Sequence, residues 1–272
     1  MKGLITLLMM LFTIQSLSGQ QFRGKVISSE TATGIAYVNA GVIGKNAGTV
    51  TDEKGNFKID LSEVSDEDSL RFFMIGYEPE AVQVGWFKRE LSAVIALKPV
   101  VYPLDEVKIT YRTPRKIVLG DDVESNDFRS GFAYNNLGSE LGHEIYTKRP
   151  VKLTDINLNI GVCTYDSVTY RLNIYQQDRS GVYRNILTSP IYLSFTREKT
   201  NNVITFDLNK YSIVIEGNVI VALELYKDLG EGRLLFRTRF FTGTTCHRKA
   251  SEAGWTNASG SVGIYLNGII VR

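Results

Sequence analysis

Few residues in this 272-residue chain have the types and spacing that chemistry requires. Cys246 stands next to His247, and an imidazolium beside a thiol can stabilise a reactive thiolate. Neighbours in a β-strand point to opposite faces, however, so the two side chains should diverge. A structural Cys is the expected reading. The string GSELG at residues 138–142 comes closest to a serine elbow, but its serine falls one position early and no helical pattern follows. Asp121, Asp122, Glu124 and Asp127 form an acidic cluster that could offer oxygen ligands to calcium, although the spacing is not that of an EF-hand and Gly120 suits a solvated turn equally well. His143 and His247 are the sole histidines, which argues against a histidine-rich zinc site.

Aromatic residues are spread along the whole chain. An exposed aromatic face on a β-sandwich can stack on sugar rings, and Trp255, in the Gly- and Ser-rich stretch AGWTNASGS, is the candidate ligand contact. Cys163 and Cys246 are the two cysteines. They could pair in an oxidising compartment, or each could be a small buried residue. Asp68 to Leu70 and Asp166 to Val168 are three-residue strings of the O-glycosylation type, and Asn257 opens a sequon. No cofactor is expected.

These residues must be positioned by strands. Apolar residues alternate through Ile156, Leu158, Ile160 and Val162, through Val168, Tyr170, Leu172 and Ile174, and through Val219, Val221, Leu223 and Leu225. Period-2 alternation indicates half-buried strands. Helical spacing is scarce, with a short helical turn expected near Ser62 to Asp68. Turn residues cut the chain at Asp52 to Gly55, Gly76, Asp178 to Gly181, Asn201 with Asn202, Gly217 with Asn218, and Gly230 to Gly232, which predicts antiparallel sandwiches or barrels. Pro99, Pro103 and Pro114 mark a boundary, because proline donates no ladder hydrogen bond.

Lys2, the apolar run Leu4 to Ile14 and the small residues after it have the layout of a secretory signal peptide, with cleavage expected near Gln20 or Gln21. The run is too short to span a bilayer, so the processed chain is expected not to cross a membrane by a helix. No Cys follows it to accept a lipid anchor. A hydrophobic content of 43% and 22% charged residues excludes a largely disordered chain. With a net charge of +2 and Lys and Arg interleaved with Asp and Glu, there is no electrostatic case for nucleic acid. The expected organisation is a signal peptide at 1–20, a first sandwich at 21–110, a linker at 111–119 and a second sandwich at 120–272.

The first sandwich carries ordered blocks: GTVTDEKGNF, FMIGYEP and LDEVKIT. Gly48 and Gly55 can supply positive φ at reversals, Asp52 can bond the backbone two residues on, and Phe57, Ile59 and Leu61 share one face. Together these blocks resemble the carboxypeptidase-regulatory-like domain, a transthyretin-like seven-stranded sandwich common at the N-termini of exported Bacteroidetes proteins. The resemblance covers about a third of the chain and implies export, to periplasm or outer surface, and an accessory docking or spacing role. It does not imply transport, since the remainder is too short for a receptor barrel of about 22 strands. The segments YRLNIYQQDRSGVYRNILTSPIYL and ITFDLNKYSIVIEGNVIVALELY resemble a jelly-roll surface module, more distantly a carbohydrate-binding module.

The reading is therefore all-β: two β-sandwiches in a non-catalytic exported cell-envelope protein that binds or scaffolds an envelope protein or glycan. One alternative is a carbohydrate-binding protein presenting glycans to partner enzymes or receptors. Another is an unrecognised hydrolase, which would need two converging carboxylates that sequence distance does not reveal.

Overall fold

A computed structural model describes residues 21–90, 93–100, 115–125, 127–201 and 203–271. The signal-peptide segment, the LDEVKIT block and residues 111–114 of the expected linker lie outside the described residues. The described chain is built of strands, as alternation predicts, and falls into two sandwiches.

The first unit contains β1 (Gln21–Ser28), β2 (Asn39–Val42), β3 (Gly48–Val50), β4 (Asn56–Asp60), β5 (Ser69–Phe73), β6 (Glu80–Gln83), helix α1 (Val84–Arg89) and β7 (Ala93–Leu97). A three-stranded sheet in the order β4-β1-β7 packs on a four-stranded sheet in the order β3-β2-β5-β6. Alternation explains the core between them. Phe57, Ile59 and Leu61 are 5%, 2% and 0% exposed, and they meet Phe72, Phe87 and Leu97 from the other elements. At the β3–β4 reversal the Asp52 carboxylate accepts the Lys54 and Asn56 backbone N–H groups, both at 2.8 Å, and Gly55 takes φ +81°. Three expectations need correction. Gly48 is not left-handed; Gly44, at φ +73°, takes that role. Residues 62–68 form turns, and the helix lies instead at Val84–Arg89, where Val84 and Phe87 reach the core. The pairing is not wholly antiparallel, because β1 runs parallel to β7.

The second unit holds β8 (Arg115–Gly120), β9 (Phe128–Phe132), β10 (Glu140–Leu158), β11 (Ile160–Cys163), β12 (Ser167–Gln177), β13 (Tyr183–Asn185), β14 (Ile191–Thr196), β15 (Ile204–Asp207), β16 (Val214–Glu224), β17 (Leu234–Arg248), β18 (Thr256–Val262) and β19 (Ile264–Ile270). These twelve strands form one hydrogen-bonded sheet that folds over a single core. Two long strands make the fold-over. The first part of β10 pairs with β16 and β17, while its end pairs with β15 and β19. In the same way β17 begins beside β9 and β11 and finishes beside β10 and β18. Register shifts on β10 fall between Thr147 and Val151 and between Leu153 and Asp155, and such irregularities bend a strand and raise its twist. The expected jelly-roll-like sandwich is thus an antiparallel sandwich whose two layers are continuous through shared strands. Residues 115–119, expected in the linker, pair with β19 as part of β8. Gly217, expected at a chain reversal, sits at φ +76° within β16. Among the described residues no helix is long and apolar enough to cross a membrane.

The units meet where β2 and β3 of the first lie against the loop after β17. A Cβ built on Gly41 would stand 2.0 Å from the Ser251 carbonyl oxygen. Backbone occupies that space, so a side chain can enter only if the two sandwiches separate. Gly41→Ala should therefore destabilise the protein by about 1–3 kcal/mol, read as a lower urea midpoint at unchanged m-value; a midpoint equal to wild type would show that the contact is not close-packed.

Candidate functional site

The strongest concentration of ionisable groups among the described residues lies on the outer face of the second unit, with its Arg171 end against the first. Strand register assembles it. Arg171 of β12 stands opposite Glu224 of β16, Glu224 opposite Glu140 of β10, and Glu140 opposite Arg248 of β17. Four neighbouring strands thus carry a row in the order Arg, Glu, Glu, Arg, with about 4.8 Å from strand to strand. Directly opposed like charges repel, so the central glutamates depend on the flanking arginines.

Each group is tightly held. Arg171 donates to both Glu224 oxygens at 2.8 Å, and it also donates to the Tyr37 carbonyl at 2.8 Å and to Asn39 Oδ1 at 2.6 Å. One guanidinium therefore ties the second unit's sheet to two residues of the first. The Asn173 amide bridges the glutamates, at 2.6 Å from Glu224 and 3.2 Å from Glu140. Arg248 donates to Glu140 and, at 2.7 Å, to the Tyr175 hydroxyl, which itself donates to Glu140 at 2.9 Å. Glu140 and Glu224 are 1% and 0% exposed. Burial, with the Glu224 charge behind it, pushes the Glu140 carboxyl up to about 7 against the pull of Arg248. Burial also disfavours the Glu224 charge, but the Arg171 guanidinium outweighs it and holds that carboxyl below its ordinary value. Glu140 Oε2 has no hydrogen-bond partner among the described residues, as suits a carboxyl that sheds its proton reluctantly.

The backbone is strained at both ends of this contact. Tyr37, whose carbonyl receives Arg171, has φ +61°, and Glu252, which pairs with Arg71 at 3.1 Å, has φ +62°. Left-handed conformations are uncommon outside glycine and persist where surrounding contacts impose them. Tyr37 also packs edge-on against Tyr226, with ring centroids 4.8 Å apart.

The structure distributes the sequence candidates differently. Trp255 is half-buried before β18, with the Arg248 guanidinium 5.0 Å from its ring centroid and Tyr175 at 5.6 Å, so its ring is engaged with the buried row and is not a free platform. Cys163 and Cys246 are unbonded, which corrects the disulfide alternative. Cys163 is opposite Leu234, and Cys246 lies twelve residues further along β17; at roughly 3.3 Å per residue the thiols are tens of ångströms apart. Burial raises the Cys246 thiol to about 12, and Cys246 and His247 take opposite faces as strand neighbours must. Both His143 ring nitrogens face backbone carbonyls, of Thr244 and Val262.

The acidic cluster also disperses. Asp121 takes the Ser261 hydroxyl, Asp122 the Asn159 amide at 2.7 Å and Asp127 the Ser125 hydroxyl at 2.6 Å, while Glu124 contributes its backbone carbonyl to Arg237. Among the described residues no group of three or more His, Cys, Asp and Glu side chains comes together to hold a metal ion, so the calcium alternative lacks a coordination site there. Arg171, Asn173, Glu140, Glu224 and Arg248 escaped the sequence reading because they occupy the polar phase of strand alternation, which normally faces water. The available signal was an arginine, an asparagine and a tyrosine on one phase of RLNIY with almost nothing soluble around them.

The first unit has seven described strands in three- and four-stranded layers, with an Asp52-capped reversal between β3 and β4. Residues 22–109 match the CarboxypepD_reg-like domain family. The CarboxypepD_reg-like domain is a non-catalytic module compatible with binding or scaffolding, and it accounts for about a third of the chain. No curated protein matches the chain. Solved structures that align with it include the VP2 subviral particle of infectious bursal disease virus, at 11% identity over 86% of this chain and 61% of that one with a TM-score of 0.17. The Gt strain of the same virus aligns at 10% identity over 93% and 65%, with a TM-score of 0.17. The chain thus spans less than two thirds of the viral chains, and similarity at this level carries no argument.

Two stability measurements probe the row. Arg171→Ala leaves Glu224 buried without its cation and should cost about 3–5 kcal/mol, whereas Arg171→Met combined with Glu224→Leu should cost clearly less by denaturant unfolding. A group whose folded pKa is raised adds stability below its unfolded value and loses it as pH climbs through the folded one. Glu140 should accordingly erode stability between pH 4.5 and about 7. Glu140→Gln should flatten that slope in melts at pH 5 and pH 8, and parallel curves for the two proteins would refute the assignment.

Proposed function

We propose that this protein is an exported, non-catalytic cell-envelope protein in which the CarboxypepD_reg-like domain and the second sandwich act together as one binding or scaffold unit. The observation that carries this reading is the Arg171 bridge. The converging acids and bases among the described residues are buried, and through Arg171 they tie the second unit to the first instead of facing a substrate. A hydrolase would need Glu140 and Glu224 to flank a space open to a glycosidic bond and water, and these two residues are only 1% and 0% exposed. Purified protein lacking residues 1–20 should turn over none of a panel of polysaccharides and peptides; turnover abolished by Glu140→Gln would sink the proposal.

A second reading, glycan binding, is favoured by one feature of the second unit. A cleft of about 620 Å³ is lined by Tyr134, which is 77% exposed, and by Phe240, with Arg129, Asn136 and Ser259 nearby. Phe128 meets Phe240 edge-on at 4.4 Å. Exposed rings beside polar side chains are what sugar stacking and orientation require. A glycan array of the wild type should show saturable binding that Tyr134→Ala abolishes and Trp255→Ala spares. Absence of any glycan signal, or loss in Trp255→Ala alone, would rule this cleft out.

A further inference from the structure

A second concavity, an open groove of about 990 Å³, runs between the two units. One wall comes from β1 and β4 of the first unit, the other from Leu137, Tyr226 and Lys227 of the second. Its size is at the upper end of the roughly 300–1,000 Å³ usual for ligand clefts. On the first wall the strand register produces an unfavourable arrangement: Arg23 stands directly opposite Lys58. Lys25 follows two residues along β1, hence on the same face. All three side chains are exposed, and none makes an ion pair among the described residues.

Cations opposed across strands destabilise a sheet, and the groove's own carboxylates do not relieve them. Asp52 caps the β3–β4 reversal, Glu53 takes Lys227 at 2.7 Å and the Tyr37 hydroxyl at 2.9 Å, and Asp228 accepts the Asn135 amide and the Gly230 N–H. The acids are engaged and the cations are left over. Beside them Val94 is 53% exposed, and the half-buried Tyr37 also lines the groove.

We propose that this groove binds an acidic polysaccharide, one carrying uronate or sulfate groups, through Arg23, Lys25 and Lys58. The inference rests on the binding role proposed above and names a ligand class for it. A strand-adding acidic peptide fits less well, because it would pair along the edge of β4, whereas Arg23 and Lys25 lie on the face of the central strand β1. A polysaccharide needs no strand edge: its charged groups can meet the cations while its ring faces lie along Val94 and Tyr37.

The test is titration of the full processed chain with polygalacturonate at low ionic strength, with dextran, polyglutamate and anionic phospholipid vesicles as comparison ligands. Polygalacturonate should bind, dextran should not, and added salt should weaken the complex by screening. The double variant Arg23→Glu/Lys58→Glu should lose roughly tenfold or more in affinity with an unchanged thermal melt. Lys148→Glu/Arg149→Glu, the same charge change at exposed positions away from the groove, should lose at most about twofold. Lys25→Glu alone gives an independent check if the first double variant folds poorly. No binding, equal losses in the two double variants, or preference for polyglutamate or vesicles would overturn the proposal. Hydrolysis of polygalacturonate by the wild type would instead sink the non-catalytic reading and leave the groove assignment standing.

Discussion

The Arg171 guanidinium occupies a place where solvent would ordinarily be. It lies on the outer face of a sheet, 2% exposed, and its donors are shared between Glu224 on its own sheet and Tyr37 and Asn39 on the neighbouring sandwich. A charge removed from water is costly unless it is paired and fully hydrogen-bonded. The arrangement is therefore satisfied only when the two units are in contact, and that condition selects one relative placement of the sandwiches. The strained backbone at Tyr37 belongs to the same constraint, since its carbonyl must turn toward Arg171.

The remaining interface is arranged around this point. Asn173 and Tyr175 continue the polar face of β12 and connect Arg171 and Glu224 to Glu140 and Arg248, and Trp255 closes the far end over the Arg248 guanidinium. Glycines on β2 and β3 let backbone come close to the loop after β17; a Cβ at Gly48 would stand 2.6 Å from the Ser251 carbonyl oxygen. Apolar contact joins it: Ile75 of the first unit is buried in the second unit's core with Phe73 packed against it, and Tyr37 packs on Tyr192 and Tyr226. Charge and hydrogen-bond geometry at Arg171 add direction to this packing. The inter-unit groove lies between the same two units.

Much of this could be read along the chain. Alternation located the strands of both cores, and Val168, Tyr170, Leu172 and Ile174 are indeed buried on one face of β12. The Asp52 and Gly55 reversal and the family blocks identified the first sandwich. Alternation failed at Arg171, Asn173 and Glu224 because a residue on the polar phase of a strand looks the same whether water or another unit covers it. It failed also at Gly217, where a glycine marks a left-handed residue within a continuous strand, since positive φ serves a strand irregularity as readily as a turn.

The sequence by itself determined the fold class and the family of the first unit, because these depend on local periodicity and on turn residues whose backbone requirements act over a few positions. Only the tertiary structure decided which polar residues are buried, that Cys163 and Cys246 sit far apart on β11 and β17, that the acidic residues near Gly120 hold separate partners, and that Arg23 faces Lys58 beside a groove. Those outcomes depend on strand register and on the docking of one sandwich against the other, and both are set by contacts between residues remote in the chain.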